Sequence, residues 1–141
     1  EASRAPSSGS SRHRSRASYK PARIRLFAAA MDFTSLHALT GTHWLRLVTS
    51  RAHDPEPLIR TYWQAIAALY PKIGFVAPLN DEQARELTSR PCPDWTEITR
   101  AACASTDEHD ISLTYSAREE WQLYGDRLYQ FVAARRVGLI D

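Results

Sequence analysis

The stretch FTSLHALTGTHW, residues 33–44, carries two histidines, three threonines and a tryptophan on one unbroken helical run. At 100° per residue, Phe33, Leu36, His37, Thr40, Trp44, Leu47 and Val48 fall on one arc, and Thr42 and Arg46 lie opposite. The arc is expected to face a core. His37 then sits in its middle, and His43 at its edge beside Leu36 and Leu47.

The same period governs the rest of the chain. DPEPLIRTYWQAIAALY, residues 54–70, opens on acids and prolines and has a broad apolar face from Leu58 to Tyr70 before Pro71 stops it. Asn80 with Gln83, and Asp94 with Glu97, read as capping boxes. A further helix is expected from about Asp107 to Tyr124, broken by Gly125. A last one starts at Asp126, carries Arg135 and Arg136 in its final turn, and ends before Gly138. No segment alternates with period two. The expected fold class is all-α, a bundle of about five to six helices, with PKIGFVAP, residues 71–78, as a connecting loop.

Residues 1–30 differ in composition. They carry seven basic residues against Glu1 alone, whereas residues 31–141 carry eleven basic and fifteen acidic. The basic character therefore belongs to the leading segment, the opposite of a domain that grips nucleic acid with its body. Rich in Ser and Arg and without hydrophobic period, residues 1–30 are expected to be a disordered tail, with residues 31–141 as the helical domain. Three readings of the tail stay open: sequence upstream of a start at Met31, a transit-like leader, or a basic arm for nucleic acid.

The 141 residues are 43% hydrophobic, enough for one modest core. No apolar run approaches the roughly 18 residues of a membrane span. Cys92 and Cys103 form no C-x-x-C pair, so a thiolate knuckle or disulfide framework is not indicated, and a reducing, cytoplasmic setting is expected.

Three groups of polar residues invite a chemical reading. An imidazole on an apolar arc, as at His37, is either bonded to a backbone carbonyl or Thr40, or it is a ligand. His43, six positions on, points about 120° away and should not share an ion with His37. In STDEHDISL, residues 105–113, His109 follows two carboxylates and precedes a third. It is either exposed beside acids that favour a helix start, or a metal ligand oriented by a carboxylate. Glu119 and Glu120 read as a solvated face, and Arg135 and Arg136 as helix-end charges.

DF..LHALTG, YWQAIAALY, ASTDEHDISLTYSA and YGDRLYQFVAARRVGL, taken in order, resemble the C-terminal part of the questin oxidase-like family over about residues 32–139. The resemblance implies an oxidoreductase that oxygenates polyketide-derived aromatic substrates, by Baeyer–Villiger-type insertion or ring opening, as part of secondary metabolism. It implies a non-haem iron site with His37 and His109 as metal ligands and NADPH as a possible reductant. Thr40 and Trp44 are then expected to line a substrate pocket, with Trp44 offering a flat aromatic surface. Ser112 stands where the family pattern has Lys, and family members are several times longer than the matched stretch. A truncated member, one half of a split protein needing a complementary N-terminal half or subunit, or a relative that has lost the chemistry is therefore expected. The alternative from another class is a non-catalytic helical interaction module that completes a larger helical protein, using Leu58–Tyr70 as its partner face.

Overall fold

The computed structural model describes Lys20–Asp141, with side chains from Arg23 onward. Seven α-helices and no strand occur among the described residues: α1 (Lys20–Ala30), α2 (Phe33–Thr49), α3 (Glu56–Leu69), α4 (Asp81–Ser89), α5 (Trp95–Ala104), α6 (Glu108–Tyr124) and α7 (Leu128–Arg136). A 3₁₀ turn, Tyr70–Ile73, continues α3. The all-α expectation holds, with one helix more than the sequence suggested.

That helix is α1, and it corrects the disordered tail over residues 20–30. Ile24, Leu26, Phe27 and Ala28 are buried despite the arginines around them. Burying Ile24 and Phe27 contributes about 1.5–3 kcal/mol each, which offsets the backbone ordering of about one turn. Arg25 reaches outward to Asp81 at 2.6 Å, so its charge does not oppose the packing. The expectations for residues 1–19 lie outside the described residues.

The chain reverses between α1 and α2 in two residues. Met31 adopts a left-handed φ of 46°, and its N–H donates to the Phe27 carbonyl at 2.7 Å. Asp32 then caps α2. Its carboxylate accepts from the Ser35 N–H at 2.6 Å, and the Ser35 hydroxyl accepts from the Asp32 N–H at 3.2 Å. Asn80 and Gln83 form the expected reciprocal box. At Asp94 only half of it is present, the Asp94 side chain accepting from the Glu97 N–H. Gly125, at φ 68°, ends α6 where the sequence places the break, its N–H donating to the Trp121 carbonyl at 2.7 Å.

Helices α6 and α7 form the centre. α2 and α5 pack against α6, α1 bridges α2 and α7, and α3 lies on the outer side of α2. The core joins Ile24 and Phe27 to Leu36 and Leu39, Ile98, Leu113, Ala117, Leu128 and Val132. Helix α3 contributes no fully buried residue; Leu58 and Ile59 are about two-fifths exposed. It is held to α2 by Tyr62, whose hydroxyl donates to the Ala38 carbonyl at 2.6 Å and lies 2.7 Å from the Thr42 hydroxyl. Close approach needs Gly41: a Cβ there would stand 3.0 Å from the Tyr62 ring. Among the described residues no helix is long and apolar enough to cross a membrane.

Candidate functional site

Helix α2 is turned differently from the expectation, and the turn decides which histidine does what. Its inward face is Ser35, Leu36, Ala38, Leu39, Thr40, Thr42 and His43. Phe33, Trp44 and Val48, taken as core, are each more than half exposed, and His37 is exposed beside them. The physical reason is that α2 is gripped on three sides, by α1, α3 and α6. The small and polar residues allow these close contacts, and each finds a bond: Thr42 to the Ala38 carbonyl at 2.7 Å, and Thr40 to the Leu36 carbonyl at 3.3 Å.

His43 is the buried imidazole, at 0% exposure. Its Nδ1 lies 3.0 Å from Oε1 of Glu120 on α6, and the same oxygen accepts from Arg46 Nε at 2.8 Å. A carboxylate only accepts, so His43 Nδ1 carries the hydrogen. Arg46 Nη2, 3.4 Å from that nitrogen, then faces it donor to donor and adds no bond. The solvated-face reading of Glu120 is thereby corrected: the side chain is 1% exposed and lies between two donors. His43 Nε2 is buried without a hydrogen-bond partner, and the rings of Trp44 and Tyr115 stand edge-on to the imidazole at 5.6 and 5.5 Å. Burial raises the Tyr129 phenol, and the nearby Glu120 carboxylate raises it further. The cluster ties α2 to α6 across a low-dielectric seam. Its signal in the sequence was the spacing of Glu120 from Leu113 and Ala117, which share its buried stripe.

The expected ligands His37 and His109 do meet. Their ring centres are 6.2 Å apart, and Phe33 stands edge-on to both at 4.8 Å. They meet at the surface, His37 exposed and His109 half-buried, not in a core. His37 Nδ1 lies 2.9 Å from the Phe33 carbonyl and His109 Nδ1 lies 2.7 Å from the Asp107 carboxylate. Both oxygens are acceptors, so each Nδ1 carries its hydrogen, and Nε2 is the nitrogen each neutral ring would offer to a ligand. With metal–nitrogen bonds of about 2.0–2.1 Å, two imidazoles on one ion hold their ring centres roughly 5–6 Å apart, and the observed 6.2 Å lies just beyond that range.

Asp107 is the organiser at that end. It caps α6 by accepting from the His109 N–H at 2.9 Å, and this bond, reinforced by the His109 ring and Arg136, holds its carboxyl below the usual range. Arg136 is more than a helix-end charge. Its guanidinium reaches Asp107 at 2.5 Å and Asp110 at 2.6 Å, fastening the end of α7 to the start of α6.

Of the expected pocket residues, Trp44 shares the exposed face of His37, whereas Thr40 points inward and bonds its own helix. Ser112 is exposed. Among the described residues no group of three or more His, Cys, Asp or Glu side chains is placed to hold a metal ion. The donors are therefore two imidazoles. A non-haem iron facial triad needs a carboxylate as well, and Asp107 is already bound to His109 and Arg136. The residues present do not fit an iron oxygenase site by themselves.

Comparison with protein-family models, with curated proteins and with solved structures returns no match.

Proposed function

We propose that this chain is a helical interaction module that acts by covering a partner, with the outer face of α2 and α6 as its docking surface. The supporting observation is the exposure of Phe33, Trp44, Val48, Ile111 and Tyr115, each between 45% and 56%. Scattered apolar residues need no explanation, but here five large ones line two neighbouring helices. Trp and Tyr are the residues that most often anchor interfaces. The face is firm because the His43–Glu120–Arg46 cluster lies directly beneath Trp44 and Tyr115. A rigid platform loses little entropy when it is covered.

This places the partner face on α2 and α6 instead of Leu58–Tyr70 of α3, where Tyr62, Trp63, Ile66 and Leu69 are half-buried. The test is association of the purified chain. Trp44→Glu with Tyr115→Glu should abolish concentration-dependent association, followed by sedimentation, at unchanged helical content. Retained association in that double variant would contradict the reading.

A second reading, favoured by the His37–His109 contact, keeps the questin oxidase-like resemblance. The chain is then one part of a split oxygenase acting on aromatic polyketide-type molecules, with iron and NADPH as its cofactors and a complementary subunit supplying the missing ligands. His37 and His109 would hold the ion, which would supply dioxygen chemistry when bound; no reaction step follows from the residues of this chain. The check is metal analysis of the purified chain. Stoichiometric iron lost in His37→Ala and in His109→Ala would favour this reading, and a folded, iron-free chain would oppose it.

A further inference from the structure

We infer that the docking surface of α2 and α6 takes a second copy of this chain, and that a zinc-type ion bridges the two copies through the His37 and His109 rings of each. The inference rests on the interaction-module reading and names its partner.

It begins with an arithmetic of ligands. His37 and His109 come from different helices, lie 6.2 Å apart between ring centres, and each has its Nδ1 fixed by an oxygen acceptor. That arrangement leaves both Nε2 atoms as the available donors, as second-shell bonding does in metal sites. No third His, Cys, Asp or Glu among the described residues joins them. Zinc bound for structural purposes takes four ligands in a tetrahedron. One chain offers half of such a set.

Two-fold symmetry completes it. An isologous interface repeats the same patch on both subunits, so an axis through the ion supplies two more imidazoles in equivalent positions. The same axis brings the exposed face of α2 and α6 of one copy against that of the other. Phe33, already packed on both histidine rings, would be covered first, and Trp44 and Tyr115 further along the seam would follow.

Charge does not oppose the pairing. The nearest acid in contact with the histidines, Asp107, bonds the His109 Nδ1 and shares Arg136 with Asp110, so one carboxylate beside each His109 ring stays available to face a cation. A divalent ion held by four neutral imidazoles keeps its full charge, and the two Asp107 carboxylates, one behind a His109 ring in each copy, would balance it through those rings. A helical partner of other sequence would have to supply both a matching apolar face and two correctly spaced donors. A second copy supplies both by symmetry.

The experiment is sedimentation velocity on the full chain, in chelator and with stoichiometric zinc, combined with metal titration. The expected result is a weak dimer in chelator and a tighter dimer with one zinc per two chains when the ion is added. His37→Ala and His109→Ala should each abolish the zinc-dependent dimer without changing the circular-dichroism spectrum, whereas His13→Ala and His53→Ala should leave it intact. Trp44→Glu should weaken the dimer about tenfold or more while zinc still binds. One zinc per chain with a monomer, or a zinc response that survives both histidine variants, would overturn the bridge. If association is as strong in chelator as with zinc and is lost in Trp44→Glu, the interaction module stands and the bridge alone fails. If zinc, chelator and Trp44→Glu all leave a monomer unchanged, both fail.

Discussion

His43 and His37 sit six positions apart on one helix, and their surroundings are opposite. His43 is sealed, bonded to a carboxylate 77 residues away in sequence, and tied through it to Arg46. His37 is exposed, bonded only to its own helix, and shares its patch with His109 and Phe33. The difference teaches that a helix can bury polar residues such as Thr42 and His43 beside Leu36 and Leu39 while leaving Phe33, Trp44 and Val48 exposed. It does so when the polar groups find partners on neighbouring helices and the apolar groups are kept for an interface. His43 holds α2 to α6; His37 faces whatever covers them.

The largest expected effect comes from breaking the sealed side. Glu120→Ala leaves His43 and Arg46 without their shared acceptor. The variant should lose about 3 kcal/mol of unfolding free energy in urea, at the low end for buried pairs because Arg46 is partly solvated. A loss under about 1 kcal/mol would mean that the cluster does not tie the helices together. His43→Ala should cost about 2 kcal/mol, since it opens a cavity but leaves Glu120 paired with Arg46. On the open side, His37→Ala and His109→Ala should each change stability by less than about 0.5 kcal/mol. Equal losses at His37 and His43 would erase the contrast.

The smallest effect is a pH dependence at Asp107. Its carboxyl lies below its ordinary value of 3.8, chiefly because it accepts the His109 N–H. A carboxylate with a depressed folded value stabilises the native state fully above the unfolded value, and loses that contribution as pH falls through the folded one. Melting temperatures should therefore show a small decline below about pH 3.8 that is smaller in Asp107→Asn, the remainder belonging to groups such as the Asp94 cap. An identical decline in the variant would remove the cap from the account.

Much of the fold was legible from local chemistry. Asn80, Asp107 and Gly125 mark helix ends because capping and left-handed turns act within four residues. The facing of α2 was not legible, because Thr42 and His43 are made soluble in the core by Tyr62 and Glu120, partners that no periodicity points to. Helix α1 was hidden by its arginines, although Ile24 and Phe27 stand at helical spacing within IRLFAAAM, residues 24–31. The nearness of His37 and His109 was anticipated, but its setting was not. The sequence suggested a buried site, and the structure puts the rings on the surface beside Phe33.

The division between the two histidine environments is tested most directly by diethylpyrocarbonate labelling of the native chain, read residue by residue by mass spectrometry. His37 and His109 should be modified promptly at Nε2, and His43 should stay protected until the chain unfolds. Modification of His43 at the rate of His37 under native conditions would contradict the inward turn of α2 on which the docking face depends.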